Sequence, residues 1–419
     1  MSAAALALLA CSSSSGSGER PGLRPPTSAE VAAVPMTRES RELLDELATF
    51  RELSAKGGVA SVELSRSELM RLLQQIAAEE LPRGQLKKEG EALRGLGLIP
   101  FSLNWEELLL VELTRVVQGL YSPRHKQLFI VDDLERDARA EVLAHEFVHA
   151  LQDQHFDLQP LMAYAPGQSD RQQARSHLVE GDAVFTLAKR SQAAARREVA
   201  RERAQPASGE PAPNNVPRFL TNSLMSPYVV GKRFVEALFA EHGFKGVDRA
   251  FRELPESTEQ VLHFSKYQSR ERALSVTVPV SPALGVTWAN QDTFGELSLR
   301  LMLSEFIVEQ DAKEAAAGWG GDQLVLANMT LAGKEFAAVA LVLAMDSSAE
   351  AAELATKVEA AFPGGCIDRE QGGPLVFVRD GERAGFAAGP YETVSGRSQA
   401  TCSTVEAWLL QAVATATVK

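Results

Sequence analysis

Apolar residues recur first at helical and later at strand spacing, and the change of period divides the chain. From Arg38 to about Gln118 the spacing is three and four: Leu43, Leu44, Leu47 and Phe50, then Leu69, Leu72, Leu73 and Ile76, then Leu108, Val111 and Val116. That spacing puts the apolar side chains on one face of each helix. Asn104 stands as an N-cap for the third of them. Gly119 to Tyr121 and Gln127 to Val131 then read as two short strands joined by a turn at Ser122 and Pro123. Long helices are expected from about Leu134 to Gln154 and from about Asp170 to Ala204, with a Pro-rich exposed loop at about 205–217. Tyr228 to His242, Gly246 to Arg252 and Phe294 to Glu309 continue the helical pattern.

From Asp322 the character changes. Leu324 to Leu326, Phe336 to Met345 and Leu375 to Val378 read as strands, and Ala349 to Phe362 as a helix. The expectation is an α+β protein, mainly helical, with a large region at 39–320 and a small α+β unit at 321–419.

Composition narrows the function. The 45% of hydrophobic residues fits a folded chain with an ample core. Acidic residues outnumber basic ones, 55 to 43, and the net charge of −12 without a basic run argues against nucleic acid as a partner. Phe336 to Met345 is the longest apolar stretch past the N-terminus, and it is far short of the ~20 residues a membrane span needs.

The N-terminus carries its own signal. The apolar run Ala3 to Ala10 ends at Cys11 and opens into a Ser-, Gly- and Pro-rich tether at 12–38. The segment 1–11 resembles a bacterial lipoprotein signal, although no Lys or Arg precedes its apolar run. The resemblance implies that Cys11 becomes the lipidated first residue, anchoring the protein in the cell envelope and facing outside the cytoplasm. There the two remaining cysteines, Cys366 and Cys402, are expected to pair and close a loop of about 36 residues.

The chemistry centres on His145-Glu146-Phe147-Val148-His149. Leu143, Phe147 and Leu151 form an apolar stripe at i, i+4, i+8, and His145 and His149, also i, i+4, share another face. Two imidazoles stacked this way can reach one metal ion at about 2.0–2.1 Å, while Glu146 points to the side, placed to take a proton from an activated water. Three residues compete to be the third ligand. His155 has the six-residue spacing of the metzincin pattern, but Gln152 stands where that pattern needs a glycine. Glu180, on the next long helix, is better placed, and Gly181 beside it suggests a close approach to the motif helix. His177, one turn earlier, is the third possibility.

HEFVHALQDQHFDL followed by LVEGDA resembles the gluzincin branch of the zincin metallopeptidases. SPYVVGKRFV from Ser226, STEQVLHFSKY from Ser257 and GWGGD from Gly318 are similar to segments of bacterial exported proteins with this motif. The resemblance implies a zincin-like catalytic core, one zinc ion on His145, His149 and Glu180, Glu146 as general base, and the strand Gln127 to Val131 as the edge along which a peptide or protein substrate lies. The gluzincin Asp four residues after the ligand Glu is replaced by Val184, so Asp153 or Asp182 is left to orient a ligand histidine. Tyr228 and His263 are the candidate donors to an oxyanion. The expected activity is zinc-dependent peptide hydrolysis; the alternative is a binding or assembly lipoprotein of the same fold without turnover.

Overall fold

The computed structural model describes residues 35–198, 216–279 and 288–419. Cys11, the segment 1–11, the tether to residue 34 and loop residues 205–215 lie outside them. The protein is α+β, with long helices and several sheets.

The first part holds α1 (Arg38–Arg51), β1 (Ala60–Leu64), α2 (Arg66–Glu80), α3 (Gln85–Gly95), α4 (Trp105–Val116), β2 (Gly119–Ser122) and β3 (Gln127–Val131). Side chains of Thr37, Ser65 and Asn104 accept from the backbone N–H groups that open α1, α2 and α4. β1 interrupts a stretch whose spacing reads as helical throughout. It pairs parallel with β3, Val62 opposite Phe129, and β2 pairs antiparallel on the other side, Tyr121 opposite Leu128. The strand order is therefore β1-β3-β2, and Gln127–Val131 is the central strand. The expectation that it forms the edge is corrected: both its sides are hydrogen-bonded, and β1 and β2 are the edge strands.

The middle part is helical: α5 (Arg136–Phe156), α6 (Leu158–Met162), α7 (Ser169–Glu198), α8 (Arg218–His242), α9 (Phe244–Arg252), α10 (Thr258–Leu262) and α11 (Phe264–Ser269). Phe147 and Leu151 of α5 bury their stripe against Leu47 of α1 and Tyr121 of β2. α7 and α8 meet at two glycines. A Cβ on Gly181 would lie 2.3 Å from the Gly231 backbone, and one on Gly231 would lie 2.1 Å from the His177 carbonyl. Gly181 thus serves a close approach to α8, not to the motif helix. Pro227 sits inside α8 without an N–H to offer, and the Ser226 hydroxyl donates to the Ser223 carbonyl at 3.0 Å.

The last part runs β4 (Val276–Thr277), β5 (Trp288–Asp292), α12 (Gly295–Leu303), α13 (Glu309–Ala316), β6 (Trp319–Leu331), β7 (Lys334–Met345), α14 (Ser348–Val358), β8 (Cys366–Ile367), β9 (Leu375–Asp380), β10 (Arg383–Glu392), α15 (Cys402–Thr415) and β11 (Thr417–Val418). The helix expected over Phe294 to Glu309 ends early, at Leu303, and after an extended Val308 a second helix starts only at Glu309. β6 and β7 form a hairpin turning on Ala332 and Gly333, both at positive φ. The large sheet has the order β5-β6-β7-β10-β9-β8. Leu341 and Leu343 on one face of β7 join a core with Leu93 and Leu96 of the first part, while Ala340 and Val342 on the other pack with Trp408 and Leu409 of α15. Burial on both faces explains the unbroken apolar run of β7. Cys366 and Cys402 form a disulfide, Cα atoms 6.0 Å apart, tying β8 to the start of α15. Among the described residues no helix is long and apolar enough to cross a membrane.

Candidate metal centre

The structure brings His145 and His149 of α5 together with Glu180 of α7. His145 Nε2 lies 3.1 Å from His149 Nε2 and 3.1 Å from Glu180 Oε2, and His149 Nε2 lies 3.5 Å from Glu180 Oε2. Two ligands held tetrahedrally at about 2.0–2.1 Å from one ion stand about 3.3–3.4 Å apart. The three donor atoms form a triangle of that size, so the residues fit a single zinc-sized cation with one face of the triangle left for substrate. His145 stays partly exposed, whereas His149 and Glu180 are buried, so the centre opens on the His145 side.

The charge at the centre favours a cation. Burial alone would lower the His149 pKa, but Glu180 and Glu146 lift it to about 9. Burial alone would raise Glu180, but the two imidazoles hold it below the ordinary carboxylate range. Two buried carboxylates therefore draw positive charge to this point, and a metal ion supplies it as well as a proton does.

Glu146 stands beside the triangle without joining it. Its Oε2 accepts the Tyr121 backbone N–H of β2 at 2.7 Å. Gly119 makes this approach possible, because a Cβ there would lie 2.3 Å from Val142 and 3.2 Å from Glu146 Cγ. Burial raises the Glu146 pKa, with the neighbouring histidines pulling the other way.

His149 is oriented by a residue that spacing did not single out for this role. Its Nδ1 lies 2.8 Å from Gln152 Oε1. The Gln152 amide nitrogen donates to the Val179 carbonyl at 3.0 Å and to Asp182 Oδ2 at 2.9 Å, which fixes the amide and leaves its oxygen as acceptor. His149 Nδ1 must then carry a proton, and in the neutral ring Nε2 presents its lone pair to the centre. Asp182 in turn accepts from buried Arg51 Nε at 2.7 Å, and Arg51 pairs with Asp248 at 2.9 Å. Of the two carboxylates considered for orienting a ligand, Asp182 acts through Gln152. Asp153 instead accepts from the Tyr121 hydroxyl, Lys126 and the Leu158 N–H.

Of the other candidates, Tyr228 stands next to His145 and the rest make their contacts elsewhere. Tyr228 lies within α8, its ring centroid 6.2 Å from that of His145. His155 faces the Ser54 carbonyl at 2.8 Å, at the end of α5. His177 is fully buried and donates Nδ1–H to the Gln173 carbonyl; burial lowers its pKa to about 4. His263 Nε2 pairs with Glu296 at 2.8 Å in a separate cavity whose lining includes none of His145, Glu146, His149 and Glu180. Gln152 and Arg51 carried only a weak signal: Gln152 lies three residues after His149, on the same helix face.

Comparison with known proteins adds one match. A family model described as a domain of unknown function (DUF8575) matches residues 284–403, the stretch of the large sheet and not the motif helix. No curated protein matches the chain. No solved structure matches it either.

Proposed function

We propose that this protein is a zinc-dependent peptidase with a zincin-like core, anchored by lipid at Cys11 in a bacterial cell envelope and facing outside the cytoplasm. The observation that carries the reading is the convergence of His145 Nε2, His149 Nε2 and Glu180 Oε2, with the Glu146 carboxylate next to them but outside the set. A zinc ion there would polarise a peptide carbonyl and make a water acidic at neutral pH. Glu146, held by the Tyr121 N–H and raised by burial, is placed to accept a proton from water and to return it to the leaving amine. Tyr228, beside His145, offers a phenol to the developing oxyanion. The edge strand β2, which touches Glu146, is the strand along which an extended peptide substrate would lie. The Cys366–Cys402 disulfide suits an oxidising compartment outside the cytoplasm.

Zinc titration tests the ligand set. The wild-type chain and His155→Ala should each bind about one zinc, and Glu180→Ala should lose it. Zinc lost with His155→Ala and kept with Glu180→Ala would overturn the assignment. For the anchor, Cys11→Ser should move the full-length protein from the detergent phase to the aqueous phase, and unchanged partitioning would remove it.

A further inference from the structure

Arg51 is the last residue of α1, and it is 0% exposed on the face that the helix turns inward. Leu44, Leu47 and Ala48 of that face pack with Phe147, Ala150 and Leu151 of α5 and with Ala183 of α7. This packing carries the end of α1 to Asp182 of α7, because Arg51 stands one turn beyond Leu47 on the same face. Its Nε donates to both oxygens of Asp182, at 2.7 and 3.0 Å. Its guanidinium also pairs with Asp248 of α9 at 2.9 Å and lies 4.6 Å from the centre of the Phe244 ring. Stability alone does not account for a charge in this position, because ion pairs buried this deeply do little better than well-packed apolar residues. What arginine adds is geometry: a planar fork that holds carboxylates on two different helices.

Asp182 links this arginine to the metal ligands. It is fully buried, and besides Arg51 it accepts from two neutral donors, the Gln152 amide at 2.9 Å and the Thr186 hydroxyl at 3.4 Å. Without the guanidinium, Asp182 would be a buried charge with no counter-ion and would have to shift toward water. The Gln152 amide would then lose one of the two acceptors that fix it, and His149 Nδ1 its fixed partner. We infer that Arg51 is a positioning residue for the metal centre, so that zinc binding and the docking of α1 strengthen each other. α1 is the first helix of the described residues and supplies no ligand, yet it completes the centre. The inference rests on the metal-centre reading and adds to it a dependence of zinc affinity on this helix. Such coupling is reciprocal: the factor that α1 contributes to zinc affinity is the factor that zinc returns to the docking of α1.

Hydrogen exchange of the full chain with and without zinc tests the coupling with no substitution at all. Zinc should slow the amides at 47–51 about tenfold more than those of α3, whose apolar residues belong to a different core. Zinc titration of Arg51→Met, Gln152→Leu and the double variant, with folding checked by circular dichroism, tests the same coupling from the other side. Arg51→Met should lower zinc affinity by about tenfold or more. Because Arg51 acts through Gln152, the double variant should bind zinc as Gln152→Leu does, within about twofold; a merely structural arginine would add a loss of its own. If Arg51→Met does not fold, the exchange comparison alone decides. Equal slowing in α1 and α3, unchanged affinity in a folded Arg51→Met, or losses that multiply in the double variant would each overturn the inference and leave the metal centre standing. A wild-type chain that takes up no zinc would overturn the metal centre itself, and this inference with it.

Discussion

Gln152 Oε1 accepts from His149 Nδ1 at 2.8 Å, and it can only accept, because the Gln152 amide nitrogen already donates to Val179 and Asp182. This single contact fixes which imidazole nitrogen of His149 faces the centre.

Gln152→Leu keeps the volume and removes that acceptor. Zinc affinity should fall about 10–100-fold, as for other groups that orient a ligand histidine. Competition against a chromophoric chelator measures it, and circular dichroism checks that the helix is kept. An unchanged affinity in the folded variant would mean that Gln152 does not orient His149.

The two glycines at the α7–α8 contact should be intolerant of a methyl group. In an open helix, Gly to Ala stabilises by about 1 kcal/mol. At Gly231 the new Cβ would lie 2.1 Å from the His177 carbonyl, backbone that cannot swing aside, and α7 would have to move with Glu180. Gly231→Ala should therefore destabilise the protein by about 1–3 kcal/mol in urea unfolding and weaken zinc binding. A stabilised variant would contradict the packing described.

The clustering of His145, His149 and Glu180 was legible because its signal is local: His145, Glu146 and His149 lie within about one helical turn, and Glu180 sits in a motif of its own. The relay was not, because Gln152, Asp182, Arg51 and Asp248 are joined only by the packing of α1, α5, α7 and α9, and a glutamine three residues past a histidine has no distinctive spacing. β1 was missed for a related reason. Its alternation, Val62 and Leu64 about Glu63, is one strand long, and its partner β3 is about 67 residues away. The edge position of β3 is what the gluzincin resemblance implies, and β1 is the strand that fills its other side. In the last part, β7 showed through its apolar run, whereas β10 (RAGFAAGPYE) is rich in small residues and proline, and its burial comes from neighbours rather than from its own composition.

Three buried carboxylates tie neighbouring elements together: Asp292 holds the start of α7 to the last part of the chain, Asp170 holds it to α10, and Asp322 of β6 holds the start of α12. Asp170 accepts from the Thr258 N–H and hydroxyl, Asp292 from the Ser169 N–H and hydroxyl, and Asp322 from the Phe294 and Gly295 N–H groups. Burial pushes Asp170 up to about 7, and Asp292 and Asp322 up to about 6. An unfolded Asp titrates near 3.9, so the folded state binds these protons more tightly. Their contribution to stability is present below about pH 4 and is lost as the pH rises toward 6 to 7. Asp170→Asn does not titrate, so wild-type stability minus that of Asp170→Asn should fall as the pH rises from about 4 to 7. Denaturant unfolding at a series of pH values measures the difference; a constant or rising difference would contradict the burial of an unpaired charge at this position.

In the proposed function Glu146 serves as a base beside a metal that it does not hold. The most direct measurement is hydrolysis of a quenched-fluorescence peptide library by wild-type and Glu146→Gln proteins, each shown to carry about one zinc. The wild type should cleave peptides, and Glu146→Gln should keep its fold and zinc while losing almost all of that activity. A zinc-loaded wild type that cleaves nothing, or a Glu146→Gln protein that cleaves as fast as the wild type, would contradict it.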